Sequence, residues 1–139
     1  MRVVISGCGL VTAVGRSAPA SCAAIRAGIA RPRRVSYFQA LDEESQEETP
    51  VTGYPIHGYT EGFNMVGRWL RLARGAARDL LGTTGLPEAK DTRFWQKTGL
   101  ITVTPRPNDA RFQNEDGEGE EALRKAFLAP LYNALALPL

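Results

Sequence analysis

Residues 1–15 read MRVVISGCGLVTAVG, a β-branched apolar run that breaks into Gly7, Gly9, Thr12 and Gly15. Residues 2–6 have the composition of a buried strand, and Gly7 and Gly9 end it. Ser17 follows as a helix cap, Pro19 suits the first helical turn, and ASCAAIRAG carries the helix on until Gly28 stops it. Strand, turn and helix within 28 residues predict an α/β fold.

The turn invites two chemical readings, and its residues argue against both. A dinucleotide site needs G-x-G-x-x-G opening directly into a helix, so that the first amides meet the pyrophosphate, with an acid after the next strand. Here Thr12 stands in the third glycine's place, the helix starts only near Ser17, and no strand ending in an acid follows at the required distance. Cys8, between two glycines, would need a neighbouring base or a helix amino end to become a thiolate nucleophile. The reading adopted for Cys8 and for Cys22 is that of small packing residues.

The wider composition narrows the class. With 139 residues, 43% hydrophobic and 23% charged, the chain is expected to form one globular domain spanning 1–139. No apolar run reaches the roughly 18 residues of a membrane span, and the start lacks the pattern of a secretory signal, so the expected address is cytoplasmic. Seventeen basic against 15 acidic residues leave +2, too little to call for nucleic acid or an anionic membrane. Two cysteines and one histidine suffice neither for a disulfide framework nor, by themselves, for a structural zinc site. No cofactor, metal or small-molecule substrate is expected for this chain alone.

Beyond Gly28, residues 31–63 lose periodicity, running from RPRR through the acidic DEESQEET to GYPIHGYTEGFN, and read as a long surface loop with room for a short hairpin. His57 lies there, and a lone histidine among tyrosines reads as a hydrogen-bonded structural group. MVGRWLRLARGAARDLL is the clearest helix: Trp69, Ala73, Ala76 and Leu80 form an apolar stripe, and Gly82 and Gly85 terminate it. Arg68, Arg71, Arg74 and Arg78 line one side of it, a solvated face in the reading preferred at this net charge, with an electrostatic footprint for an acidic protein or, as a third class, for nucleic acid as the alternatives. KTGLITVTP predicts a second strand ending at Pro105. EEALRKAFLAP starts as a helix with Glu120–Arg124 and Glu121–Lys125 in the favourable order. Pro130 should kink or end it, leaving an apolar tail in which Leu131, Tyr132 and Leu135 are candidates for a partner surface. The carboxylate runs at Asp42–Glu48 and Glu115–Glu121 look solvated, and no nucleophile elbow, C-x-x-C or H-E-x-x-H motif occurs.

RVVISGCGLVTAVGRSAPASCAAIRAG resembles the amino-terminal signature of the β-ketoacyl-acyl carrier protein synthases, which often begin RVVITGxGxVTxxG and continue into a helix ending LxAG. GRWLRLARGAARDLL is similar to that family's DRFxQxAxxAAxEAL helix, with Arg68 matching and Gly67 in place of Asp. TGLITVTP resembles the strand after it, usually VGVIxGTG, with Val103 and Pro105 replacing the two later glycines. The resemblance implies a thiolase-like half-domain of layered sheet and helices, with the glycine turn as a structural connection. The family's nucleophilic cysteine and two catalytic histidines fall in later motifs, so it assigns no catalytic residue to this chain. It implies a non-catalytic accessory protein that pairs with a second thiolase-like chain or with itself. The alternative is a split synthase whose partner carries the catalytic Cys and His residues.

Overall fold

The computed structural model describes residues 3–87, 91–105 and 118–136. Helix α1, Ala18–Arg26, is capped by the Ser17 hydroxyl, which accepts from the Ala20 N–H, with Pro19 in the first turn. It ends as its sequence requires: Gly28, at φ +68°, takes the left-handed position that an L side chain resists. Its inner face is made of Ala18, Ser21 and Ala24, all buried.

Residues 31–63 contain an antiparallel hairpin, β1 (Arg33–Leu41) with β2 (Glu48–Gly53), the one sheet among the described residues. Val35 pairs with Val51 and Gln39 with Pro50, with a register irregularity between. In a two-stranded sheet every strand is an edge, which is why Pro50 is tolerated in β2. Asp42 makes the turn, its carboxylate accepting from the Glu44 and Ser45 N–H groups at 2.9 Å each. These bonds, that of Ser45 foremost, hold its pKa below the usual value. Part of the acidic run is thus an organised turn.

Helix α2, Met65–Thr83, starts at Asn64, whose side chain accepts from the Gly67 N–H at 2.9 Å. It passes through Gly82 and stops before Gly85, at φ +62°. Its stripe of Trp69, Ala73, Ala76 and Leu80 is half-buried. A short turn, α3 (Thr92–Trp95), brings Trp95 to 3% exposure.

The carboxyl-terminal run does not break at Pro130. Helix α4 (Glu118–Leu123) continues through a π turn (Arg124–Leu128) into α5 (Ala129–Leu135), with Pro130 in the first turn of α5. The Ala129 N–H reaches five residues back to Arg124 O, and this wider turn takes in a ring that an α-helical interior would exclude. Glu121 and Lys125 pair at 3.5 Å in solvent. Phe127, fully buried, meets Trp69 edge-on with ring centroids 5.2 Å apart, and Leu131 is 3% exposed. The π turn and α5 therefore pack on α2, and the tail finds a surface within its own chain.

The fold is mixed α and β, but the two strands expected from composition do not form. Residues 3–6 and 97–105 belong to no sheet, because no described strand lies beside them. Val3, Val4 and Ile5 are consequently 85, 79 and 93% exposed. The expected loop at 106–117 and the last residues, 137–139, lie outside the described residues.

Truncating Phe127→Ala should cost about 3–5 kcal/mol of unfolding free energy, the range for a buried aromatic that leaves a cavity. Urea denaturation followed by circular dichroism measures it, with the exposed Val4→Ala as control.

Candidate functional site

The polar groups of the glycine turn are turned inward. Thr12 Oγ1 accepts from the Val14 and Gly15 N–H groups at 3.3 and 3.0 Å and lies 2.9 Å from Ser21 Oγ. The Ser21 hydroxyl, fully buried, also lies 3.2 Å from Gly15 O. A side chain at Gly15 would strike the Ser21 backbone, with its Cβ 2.5 Å from the Ser21 nitrogen. The third position of the glycine pattern is thus a threonine because its hydroxyl closes the turn.

Asp79, reaching over from α2, accounts for the next two amides. Its Oδ2 accepts from the Leu10 N–H at 3.1 Å and the Ala18 N–H at 2.6 Å. Ala18 opens α1, so this carboxylate occupies the place at the positive end of the helix that a phosphate would need. Beside it the chain runs along α2 without side-chain clearance: a Cβ on Gly9 would collide with Ala76 O and lie 2.6 Å from Leu80 N. Gly7 and Gly9 press on α2, and Cys8 between them is exposed. Cys22 is exposed as well, since Ala18, Ser21 and Ala24 take the inner face of α1. Both thiols are therefore surface groups, which corrects their reading as packing residues.

Two cavities flank the turn. An apolar groove of about 440 Å³ lies among Thr12, Val14, Ile25, Ile29 and Tyr54. A smaller one of about 160 Å³ has Arg16, Arg31 and His57 in its wall. Among the described residues no group of three His, Cys, Asp or Glu could hold a metal ion. No described helix is long and apolar enough to cross a membrane.

The arginine face divides into two parts. Arg71 Nε donates to Tyr59 O at 2.6 Å, while the Tyr59 hydroxyl donates to Arg71 O at 3.0 Å. The Arg71 guanidinium lies 5.0 Å from the Tyr59 ring and 4.6 Å from that of Phe63, and Arg16 lies 5.1 Å from Tyr59. Arg68 Nε donates to Phe63 O at 2.7 Å. These two arginines fasten the 58–63 loop to α2, whereas Arg74 and Arg78 are exposed further along the helix. Of the tail residues, Leu131 belongs to the core, and Tyr132 and Leu135 are half-buried.

His57 Nδ1 lies 3.2 Å from Glu61 Oε1, in a loop that Glu61 organises. The Glu61 carboxylate also accepts from the Gly58 and Tyr59 N–H groups at 2.7 and 2.9 Å. Its pKa falls from 4.5 to about 2, chiefly through its own backbone N–H and that of Gly58, with smaller help from His57 and Tyr59. Comparison with protein-family models, with curated proteins and with solved structures finds no match.

Two predictions follow from this geometry. Gly9→Ala should destabilise the chain by about 1–3 kcal/mol, because the methyl group meets helix backbone, which cannot rotate away; thermal unfolding reads this, with Gly82→Ala as control. A carboxylate whose pKa is lowered on folding stabilises above its unfolded value and loses that contribution as pH falls through the folded value. Order in the 57–61 loop should therefore persist above pH 4.5 and decline towards pH 2, followed by the amide resonances of Gly58 and Tyr59. Glu61→Gln should shift those resonances already at neutral pH.

Proposed function

We propose that this chain is a non-catalytic, ketosynthase-like accessory protein that acts through contacts with a second thiolase-like chain. The observation that carries the reading is the stretch 2–28, whose similarity to the synthase signature extends to the residues with a packing reason. Gly9 and Gly15 stand where backbone meets backbone, and Thr12 closes the turn with its hydroxyl. A turn used in this way supports a connecting role over a ligand-holding one.

Support for a partner comes from the segment before the turn. Val3, Val4 and Ile5 are a strand-forming run left in water, and such runs invite pairing with another chain. The exposed Arg74 and Arg78 offer charge for an acidic rim on that partner. The thiolase-like layering itself, and the pairing of the amino-terminal strand within it, belong to this proposal.

Light scattering on the purified chain, alone and mixed with the product of the adjacent gene, tests the reading. The expected result is a hetero-complex whose partner has a thiolase-like sequence. Val3→Glu combined with Ile5→Glu, at positions that carry no packing in the isolated chain, should weaken that complex by about tenfold or more. A chain that ignores a thiolase-like neighbour at every ratio overturns the proposal.

A further inference from the structure

The stretch Leu100–Thr104 has an inverted surface. Exposure alternates from residue 101 to residue 105, as in an extended strand, but the apolar members face out: Ile101 is 95% and Val103 89% exposed. Thr102 and Thr104 face inward, where they line a hollow with Leu123, Arg124 and Leu128. One hydrogen bond engages this backbone among the described residues, from Trp69 Nε1 to Val103 O at 3.1 Å.

That bond decides which edge is free. In an extended run the N–H and C=O of one residue point to the same side, and those of the next residue to the other. Val103 O points to α2, so the opposite edge carries the N–H and C=O groups of Thr102, flanked by those of Leu100 and Thr104. A free ladder edge with β-branched side chains above it takes an extended strand.

We propose that residues 100–104 are an edge strand through which two copies of this chain pair antiparallel about Thr102. The sequence is complementary to itself in that register. Thr102 faces its own copy as a hydrogen-bonded pair, exchanging two N–H···O bonds with the groups that the Trp69 contact leaves free. Ile101 then faces the partner's Val103 at the closer, non-hydrogen-bonded spacing, twice over, and no charges oppose one another. Leu100 faces Thr104 in the two outer hydrogen-bonded pairs, and Gly99 faces Pro105 at the ends, a non-hydrogen-bonded pair that asks no N–H of the proline. A two-fold axis through this pair makes a closed dimer rather than a fibre.

The inference deepens the contact reading above and rests on it only in that the chain works by pairing; it names a second copy as an occupant. A five-residue ladder is far smaller than the ~1,200 Å² of a stable interface, so the dimer forms in the upper micromolar to roughly millimolar range. Sedimentation equilibrium of the full chain over that range should show a monomer–dimer equilibrium. Thr102→Pro removes the central N–H at a position where none of the described residues bonds it, and should abolish the dimer while leaving the circular dichroism and melting of the monomer unchanged. Ile101→Lys with Val103→Lys sets like charges opposite and should weaken the dimer about tenfold or more, whereas Ile101→Lys with Val103→Glu sets opposite charges together and should restore it. A wild-type chain that stays monomeric throughout, or a dimer indifferent to Thr102→Pro, overturns the inference. A monomer that still binds the thiolase-like neighbour would overturn the self-pairing and leave the proposed function standing.

Discussion

The carboxylate of Asp79 joins three pieces of chain that sequence separates. From α2 it holds the Leu10 and Ala18 amides, so the glycine segment and the start of α1 are fixed to the same side chain. The favourable field at the head of α1 adds to these bonds. A negative charge near the carboxyl end of a helix is unfavourable for that helix, and Asp79 is placed there in α2. Its placement joins α2 to the first amide of α1 through one hydrogen bond and to the glycine segment through another.

Helix α2 thereby acts as the axis of the molecule. Its carboxyl half receives the amino-terminal segment through Asp79 and the close approach at Gly9. Its amino half receives the carboxyl-terminal helices through Trp69 and Phe127, and the 58–63 loop through Arg68 and Arg71. Few side chains are fully enclosed, since Phe127 and Ser21 are the largest below 2% exposure among the described residues. Among the described residues the segments are joined largely by polar ties.

Helices α1 and α2 were legible because their signals are local. Ser17 caps α1, Gly28 and Gly85 stop the two helices, and the stripe from Trp69 to Leu80 repeats at the helical period, whereas the Asn64 cap of α2 emerged only in the structure. The hairpin was obscure because its strands carry charged and polar residues and a proline, as in RRVSYFQAL and ETPVTG, and bury little of what is described beyond the facing pair Val35 and Val51. The strands expected at 2–6 and 97–105 failed for a different reason. β-Branched composition reports a capacity to pair, and pairing also needs a neighbour that no local pattern supplies. The mild treatment of Pro130 depends likewise on a π turn that a helical template does not contain. At the glycine turn, absence of a nucleotide pattern could be read from Thr12, but the role of Asp79 could not, although a single acid in an arginine-rich helix was the available clue.

The two tryptophans differ in a way that has a practical side. Trp95 is enclosed, while Trp69 is half-buried with its indole N–H on the Val103 carbonyl and its ring against Phe127. Indole emission depends on solvent contact and on the hydrogen bond of the N–H, so the chain carries a native fluorophore wired to residue 103. With Trp95 replaced by phenylalanine, events at that segment become visible as a change in colour and lifetime, with no label attached.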